Sequence, residues 1–75
     1  MYHTIEFDEA LTVALEISRK HPLEKLAIRK GTRVRAQLRP YVVESDDGLT
    51  EVADLFFEDG SATRGIPFAC FSFVE

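Results

Sequence analysis

Apolar and polar residues recur with two different periods along this chain of 75 residues. Between Asp8 and Lys20 the apolar positions return every three or four residues, which is the period of a helix with one buried face. The carboxylate of Asp8 suits the cap of a first turn, and Pro22 disfavours helical geometry at the residue before it. The pattern therefore predicts an amphipathic helix from Asp8 to Lys20.

The flanking segments are shorter and less regular. Tyr2 to Phe7 fits an edge strand. Residues 22–30 fit either a short helix that starts at Pro22 or a strand in which Leu26 and Ile28 alternate with their neighbours. A strand that turns at Lys30 and Gly31 is favoured, because the segment that follows is strand-like.

Strict alternation begins at Arg33 and indicates β-hairpins. Asp47-Gly48 and Asp59-Gly60 each lie between strand-like runs, and Asp-Gly favours the two-residue turn that closes a hairpin. A turn at Asp47-Gly48 pairs Val43 with Val52 and Leu38 with Phe57. This register gathers one apolar face for the helix to cover: Val34, Ala36, Leu38, Val42, Ala53, Leu55 and Phe57.

The pattern does not decide which face of the sheet the alternate residues of the last strand occupy. Without a bulge after the second turn, Phe71 and Phe73 lie on the face away from the helix, and a bulge at residues 65–67 reverses this. The whole pattern predicts a single α+β domain over residues 1–75, with one amphipathic helix packed on a mostly antiparallel sheet of four or five strands.

Composition adds an uneven distribution of charge. The net charge is −4, yet eight of the nine basic residues fall within residues 19–39. That block is either a patch for an anionic partner or a basic strand beside acidic neighbours. The single cysteine, Cys70, excludes an intramolecular disulfide and is typical of a reducing compartment. With an acidic N-terminal segment unlike an export signal, we expect a cytoplasmic protein that does not engage membranes.

No catalytic, cofactor or metal site is predicted. His3 and His21 have no second ligand at metal-binding spacing, and Cys70 lies in an apolar run that favours a buried, inert thiol. The four glycines are isolated, so no phosphate-binding loop is present. We therefore expect a protein that is not an enzyme.

Two surfaces are candidates for function. One helix cannot cover both faces of a sheet, so Val52, Phe56, Phe71 and Phe73 are expected to form an apolar patch. Such a patch marks self-association, as a homodimer or larger homo-oligomer, or binding to a protein partner.

The alternative is a nucleic-acid-binding face formed by a row of arginines along one strand, which we call the arginine row. It consists of Arg33, Arg35, Arg39 and the neighbouring Tyr41. Guanidinium groups bind phosphates, and aromatic rings stack on unpaired bases. Asp54 and Glu58 on the same face weigh against this alternative.

Overall fold

The computed structural model describes residues 1–17 and 24–74, and strands dominate it. Seven strands and one 3₁₀ turn, at Phe68–Cys70, make up the described chain. The strands are β1 His3–Phe7, β2 Leu11–Glu16, β3 Glu24–Ile28, β4 Arg33–Ser45, β5 Gly48–Phe57, β6 Ala62–Pro67 and β7 Phe71–Phe73. All pairs are antiparallel, and they form one curled sheet in the order β3-β2-β6-β5-β4-β1-β7.

The predicted α+β fold is wrong, because the described residues contain no α-helix. Residues 11–16 of the expected helix form strand β2, and Asp8 and Glu9 form a bend before it. Within β2, Leu11 and Val13 pair with Ile28 and Leu26 of β3. The expected last helical residues, 18–20, lie outside the described residues, as do His21 and Pro22.

The helical pattern in this segment was ambiguous for a physical reason. Leu11, Val13 and Leu15 alternate as a strand with one apolar face requires. Ala10, Ala14 and Ile17 fill the gaps and complete an apolar stripe of helical period. Burial decides between the two: Val13 is buried, whereas Thr12 and Ala14 on either side of it are exposed.

The two N-terminal strand predictions have different outcomes. Residues 24–28 form a strand that turns at Lys30 and Gly31, as favoured from the sequence. β1 is a strand but not an edge strand, since it lies between β4 and β7.

The core lies on the concave face of the curled sheet, so the sheet buries its own apolar side. Its fully buried side chains include Ile5 and Phe7 of β1 and Leu55 of β5. The remaining buried members are Val13, Ile28, Ala36, Ala53, Ile66 and Phe71. The curl of the sheet therefore covers the apolar face that the predicted helix was expected to cover.

The first hairpin forms where predicted, with a register shifted by two residues. Leu38 pairs with Leu55, and Ser45 pairs with Gly48, so Asp46 and Asp47 are the central residues of the turn. Gly48 has φ 111°, and none of the described non-glycine residues has a positive φ. A type I′ Asp-Gly turn needs positive φ at both positions, so a turn centred on Asp46 and Asp47 and followed by a left-handed glycine replaces it. A shift of two residues keeps every side chain on its predicted face.

The second hairpin also turns through a glycine with positive φ, Gly60. The Phe57 carbonyl accepts from Gly60 N at 3.1 Å, and Phe57 N donates to the Ser61 carbonyl at 2.9 Å. An irregularity in the pairing with β6 opposite Asp54 then shifts the register by one residue. The 3₁₀ turn after Pro67 ends β6, and β7 pairs with β1 instead of continuing the hairpin. This turn places Phe71 in the core.

The β4–β5 hairpin is longer than the strands beside it. β1 pairs with β4 only at residues 33–36, and the pairing of β6 with β5 reaches no further than Val52. Within the described chain, residues 42–51 are therefore paired only with each other. We call this two-stranded extension the arm.

Candidate interaction surface

The predicted arginine row lies on the convex face, and two of its members are already paired. Arg33 Nε lies 2.8 Å from Glu6 Oε1, and Arg35 Nε lies 3.4 Å from Glu58 Oε1. Arg39 stands opposite Asp54 in the strand register. The structure thus brings the row together on one exposed face, interleaved with carboxylates.

Asp54 is the centre of a polar cluster that sequence reasoning did not find. It is only 4% exposed. Its Oδ1 accepts from Tyr41 Oη at 2.9 Å and from Gly65 N at 3.0 Å, and its Oδ2 accepts from Arg64 Nη1 at 3.1 Å. The irregularity in β6 presents Gly65 N to the carboxylate. The signal available in the sequence was a carboxylate between apolar neighbours, in VADLFF.

The electrostatics of the cluster favour an ionised carboxylate. Burial opposes ionisation of Asp54, but the hydrogen bonds from Tyr41, Gly65 and Arg64 outweigh it and lower its pKa. The same hydrogen bond raises the pKa of Tyr41. Arg64 also pairs with Glu16 and lies 5.5 Å from the centre of the Phe56 ring. Each member of the cluster forms a hydrogen bond or an ion pair with another member. These contacts hold β4, β5, β6 and β2 together.

The four residues predicted as an apolar patch do not share a surface. Val52 is 3% exposed and Phe71 is 4% exposed. Phe56 is half-buried beneath the Arg64 guanidinium. Phe73 alone is largely exposed, at 53%, and it lies on the concave face because it pairs with the core residue Ile5. The 3₁₀ turn that carries Phe71 into the core is the physical reason.

A different apolar surface surrounds the base of the arm. Leu38, Pro40, Phe68 and Phe73 line a hollow of about 500 Å³. Leu49 and Phe68 line a neighbouring hollow of about 550 Å³. Val42 shares the strand face of Leu38 and Pro40, and it is 55% exposed, while Leu49 is 73% exposed. We call this surface the arm patch: Leu38, Pro40, Val42, Leu49, Phe68 and Phe73.

The arm also carries a concentration of negative charge. Glu44, Asp46, Asp47 and Glu51 lie within it, and residues 41–49 are all exposed. None of these four carboxylates forms an ion pair with another described residue. On one face of the arm, Val42 and Leu49 therefore lie beside Glu44 and Glu51, and Asp46 and Asp47 lie at its tip. The sequence signal was the run YVV, apolar on both strand faces, next to four acids.

Two kinds of residue could carry chemistry, the metal-ligating side chains and Cys70. Among them, no three of His, Cys, Asp and Glu converge as a metal site would require. Burial raises the pKa of Cys70, and its Sγ donates a hydrogen bond to Glu9 Oε1 at 3.2 Å, which raises it further. A raised pKa disfavours the thiolate that nucleophilic catalysis needs.

Comparison with known proteins adds no assignment: no protein-family model matches the chain, and no curated protein or solved structure matches it. In the part of the chain that is described, no helix is long and apolar enough to cross a bilayer.

Proposed function

We propose that this protein acts by self-association through the arm patch and has no enzymatic role. The observation that carries the proposal is the concentration of exposed large apolar side chains at one end of the molecule, on Val42, Leu49 and Phe73. A cytoplasmic setting, expected from the single cysteine, belongs to the same proposal.

Energetics favour covering the arm. A two-stranded hairpin alone is marginal in water, and the arm has no third strand among the described residues. Fully burying a Val, Leu or Phe side chain contributes roughly 1.5–3 kcal/mol. A chain of this length buries a small core of its own, so shared burial is a large gain for it.

The form of the contact follows from Pro40. β4 lacks a partner on its β1 side from residue 37 onward in the described structure. Strand addition along that edge would need backbone donors, and a proline supplies none. Acidic residues around the tip further discourage edge-to-edge pairing. We therefore favour contact through the side chains of the arm patch.

The nucleic-acid alternative has weaker support. Phosphate binding by Arg33 and Arg35 would have to displace Glu6 and Glu58, and the Tyr41 hydroxyl already donates to Asp54. The negative net charge also opposes a polyanion.

The test compares two variants with the same added charge. Leu49→Asp removes the most exposed side chain of the arm patch. Among the large apolar side chains of the described residues, only Met1 is more exposed. Thr12→Asp adds its charge to an exposed site on β2. We expect sedimentation velocity to show association of the wild type and of Thr12→Asp, and at least tenfold weaker association of Leu49→Asp. Equal association of all three proteins would refute the role of the arm patch.

A further inference from the structure

We propose that the arm of one copy docks in an apolar cleft at the opposite end of β4 in a second copy. The cleft is defined by Leu15, Leu26, Val34 and Phe57. This inference rests on the proposed self-association and names the surface that receives the arm.

The cleft lies between β3 and the strands that face it across the concave side. It consists of two adjoining hollows of about 400 and 340 Å³, which share Leu26, Val34 and Phe57. Leu26 is exposed and Val34 and Phe57 are half-buried, so nothing among the described residues fills the space between them. Volumes in this range accommodate small ligands, and therefore also the side chains of Val42 and Leu49.

The positive charge beside the cleft favours the acidic arm as its occupant. The cleft adjoins the β3–β4 turn, where Arg29 lines its wall and Lys30 follows. Neither residue forms an ion pair with a described residue.

The acids at the cleft, by contrast, are engaged. Glu58 pairs with Arg35, and the Asp59 carboxylate accepts from the backbone N and the hydroxyl of Ser61, which leaves its charge in place. Arg29 and Lys30, the two cations without an ion pair among the described residues, outnumber this one carboxylate, so net positive charge remains at the cleft, and net negative charge remains at the arm.

Position makes this complementarity intermolecular. The thirteen residues of β4 run from the basic turn at one end to the acidic turn at the other. An arm therefore meets the cleft of another copy and not its own. Opposite ends of one molecule then meet head to tail, so assembly continues beyond a dimer unless two copies reciprocate.

The experiment is a charge-reversal complementation. One variant carries Glu44→Lys and Glu51→Lys on the strand face of the arm, and the other carries Arg29→Glu and Lys30→Glu at the cleft. A control carries Lys25→Glu and Arg39→Glu, which changes the net charge equally but on the convex face. Circular dichroism checks the fold of each protein, and sedimentation at about 50 mM salt limits screening.

We expect each of the two variants alone to associate on the order of tenfold more weakly, since two attractive contacts become repulsive. Their equimolar mixture should associate at least as tightly as the wild type, and the control should match the wild type. A cleft variant that associates normally would overturn the inference, and loss of association in Leu49→Asp alone would leave the proposed function standing. A wild type that does not associate would overturn both.

Discussion

Replacing Asp54 by Asn tests the idea that the polar cluster on the convex face locks four strands together. Asp54 accepts three hydrogen bonds, two at Oδ1 and one at Oδ2. The amide keeps a neutral acceptor at the first position and turns a donor toward the Arg64 guanidinium at the second. Hydrogen bonds to ionised groups contribute about 1.5–3 kcal/mol and neutral ones about 0.5–1.5. We therefore expect a loss of about 2 kcal/mol.

That loss is large for so small a domain. About 1 kcal/mol shifts the melting temperature of a 60–100-residue domain by roughly 4–8 °C, so Asp54→Asn should melt roughly 8–16 °C below the wild type. Urea and thermal denaturation followed by circular dichroism measure the change at one fixed protein concentration, because association itself stabilises. Asp46→Asn, the same change in an exposed turn, should stay within about 0.5 kcal/mol of the wild type.

The pH dependence supplies a second readout. The pKa of Asp54 lies below its ordinary value of 3.8 in the folded protein. Its contribution to stability is therefore present above that value and is lost as the pH falls through the folded pKa. The gap between the wild type and Asp54→Asn should therefore narrow as the pH falls below that value. Asp59, whose pKa is also lowered by Ser61, is common to both proteins and cancels. A gap that is small at pH 7, or constant with pH, would refute the cluster's role.

Three further predictions follow from the fold. Phe71→Ala should destabilise by about 3–5 kcal/mol in urea titration because Phe71 is buried in the core, whereas Phe73→Ser should weaken association far more than folding; the reverse order would contradict the placement of β7. Gly60→Ala should lower the free energy of unfolding by about 1–2 kcal/mol, since φ is 90° there and no atom crowds the added Cβ. Gly60→Asn should recover part of that loss, and an unchanged melting temperature of Gly60→Ala would argue against the left-handed turn. Fluorescence anisotropy with labelled single-stranded DNA at about 50 and 200 mM salt should show no salt-sensitive binding, and binding weakened by Arg33→Ala would restore the nucleic-acid alternative.

The sequence predicted the hairpins because their determinants are local. Each turn contains a glycine after acidic residues, and the alternation of Val34, Ala36 and Leu38 assigns the faces whatever the register. A shift of two residues was invisible to that pattern, since it preserves every face. Only the backbone conformation at Gly48 and Gly60 decides it.

The fold class depended on long-range contacts and was therefore missed. Leu11 to Glu16 satisfies two periods, and pairing with β3 and β6 selects the strand. The fate of Phe71 likewise depended on the 3₁₀ turn after Pro67, which no local signal announced. The candidate site changed with it, from a patch of three phenylalanines and one valine to an arm whose exposure depends on where β1 and β6 end.

The central claim is that the arm draws copies of this chain together, and sedimentation equilibrium of the wild type over a wide range of concentration tests it most directly. We predict a mass that rises above the 8.5 kDa of the single chain as concentration increases. A mass that stays at 8.5 kDa across the whole range would contradict the account.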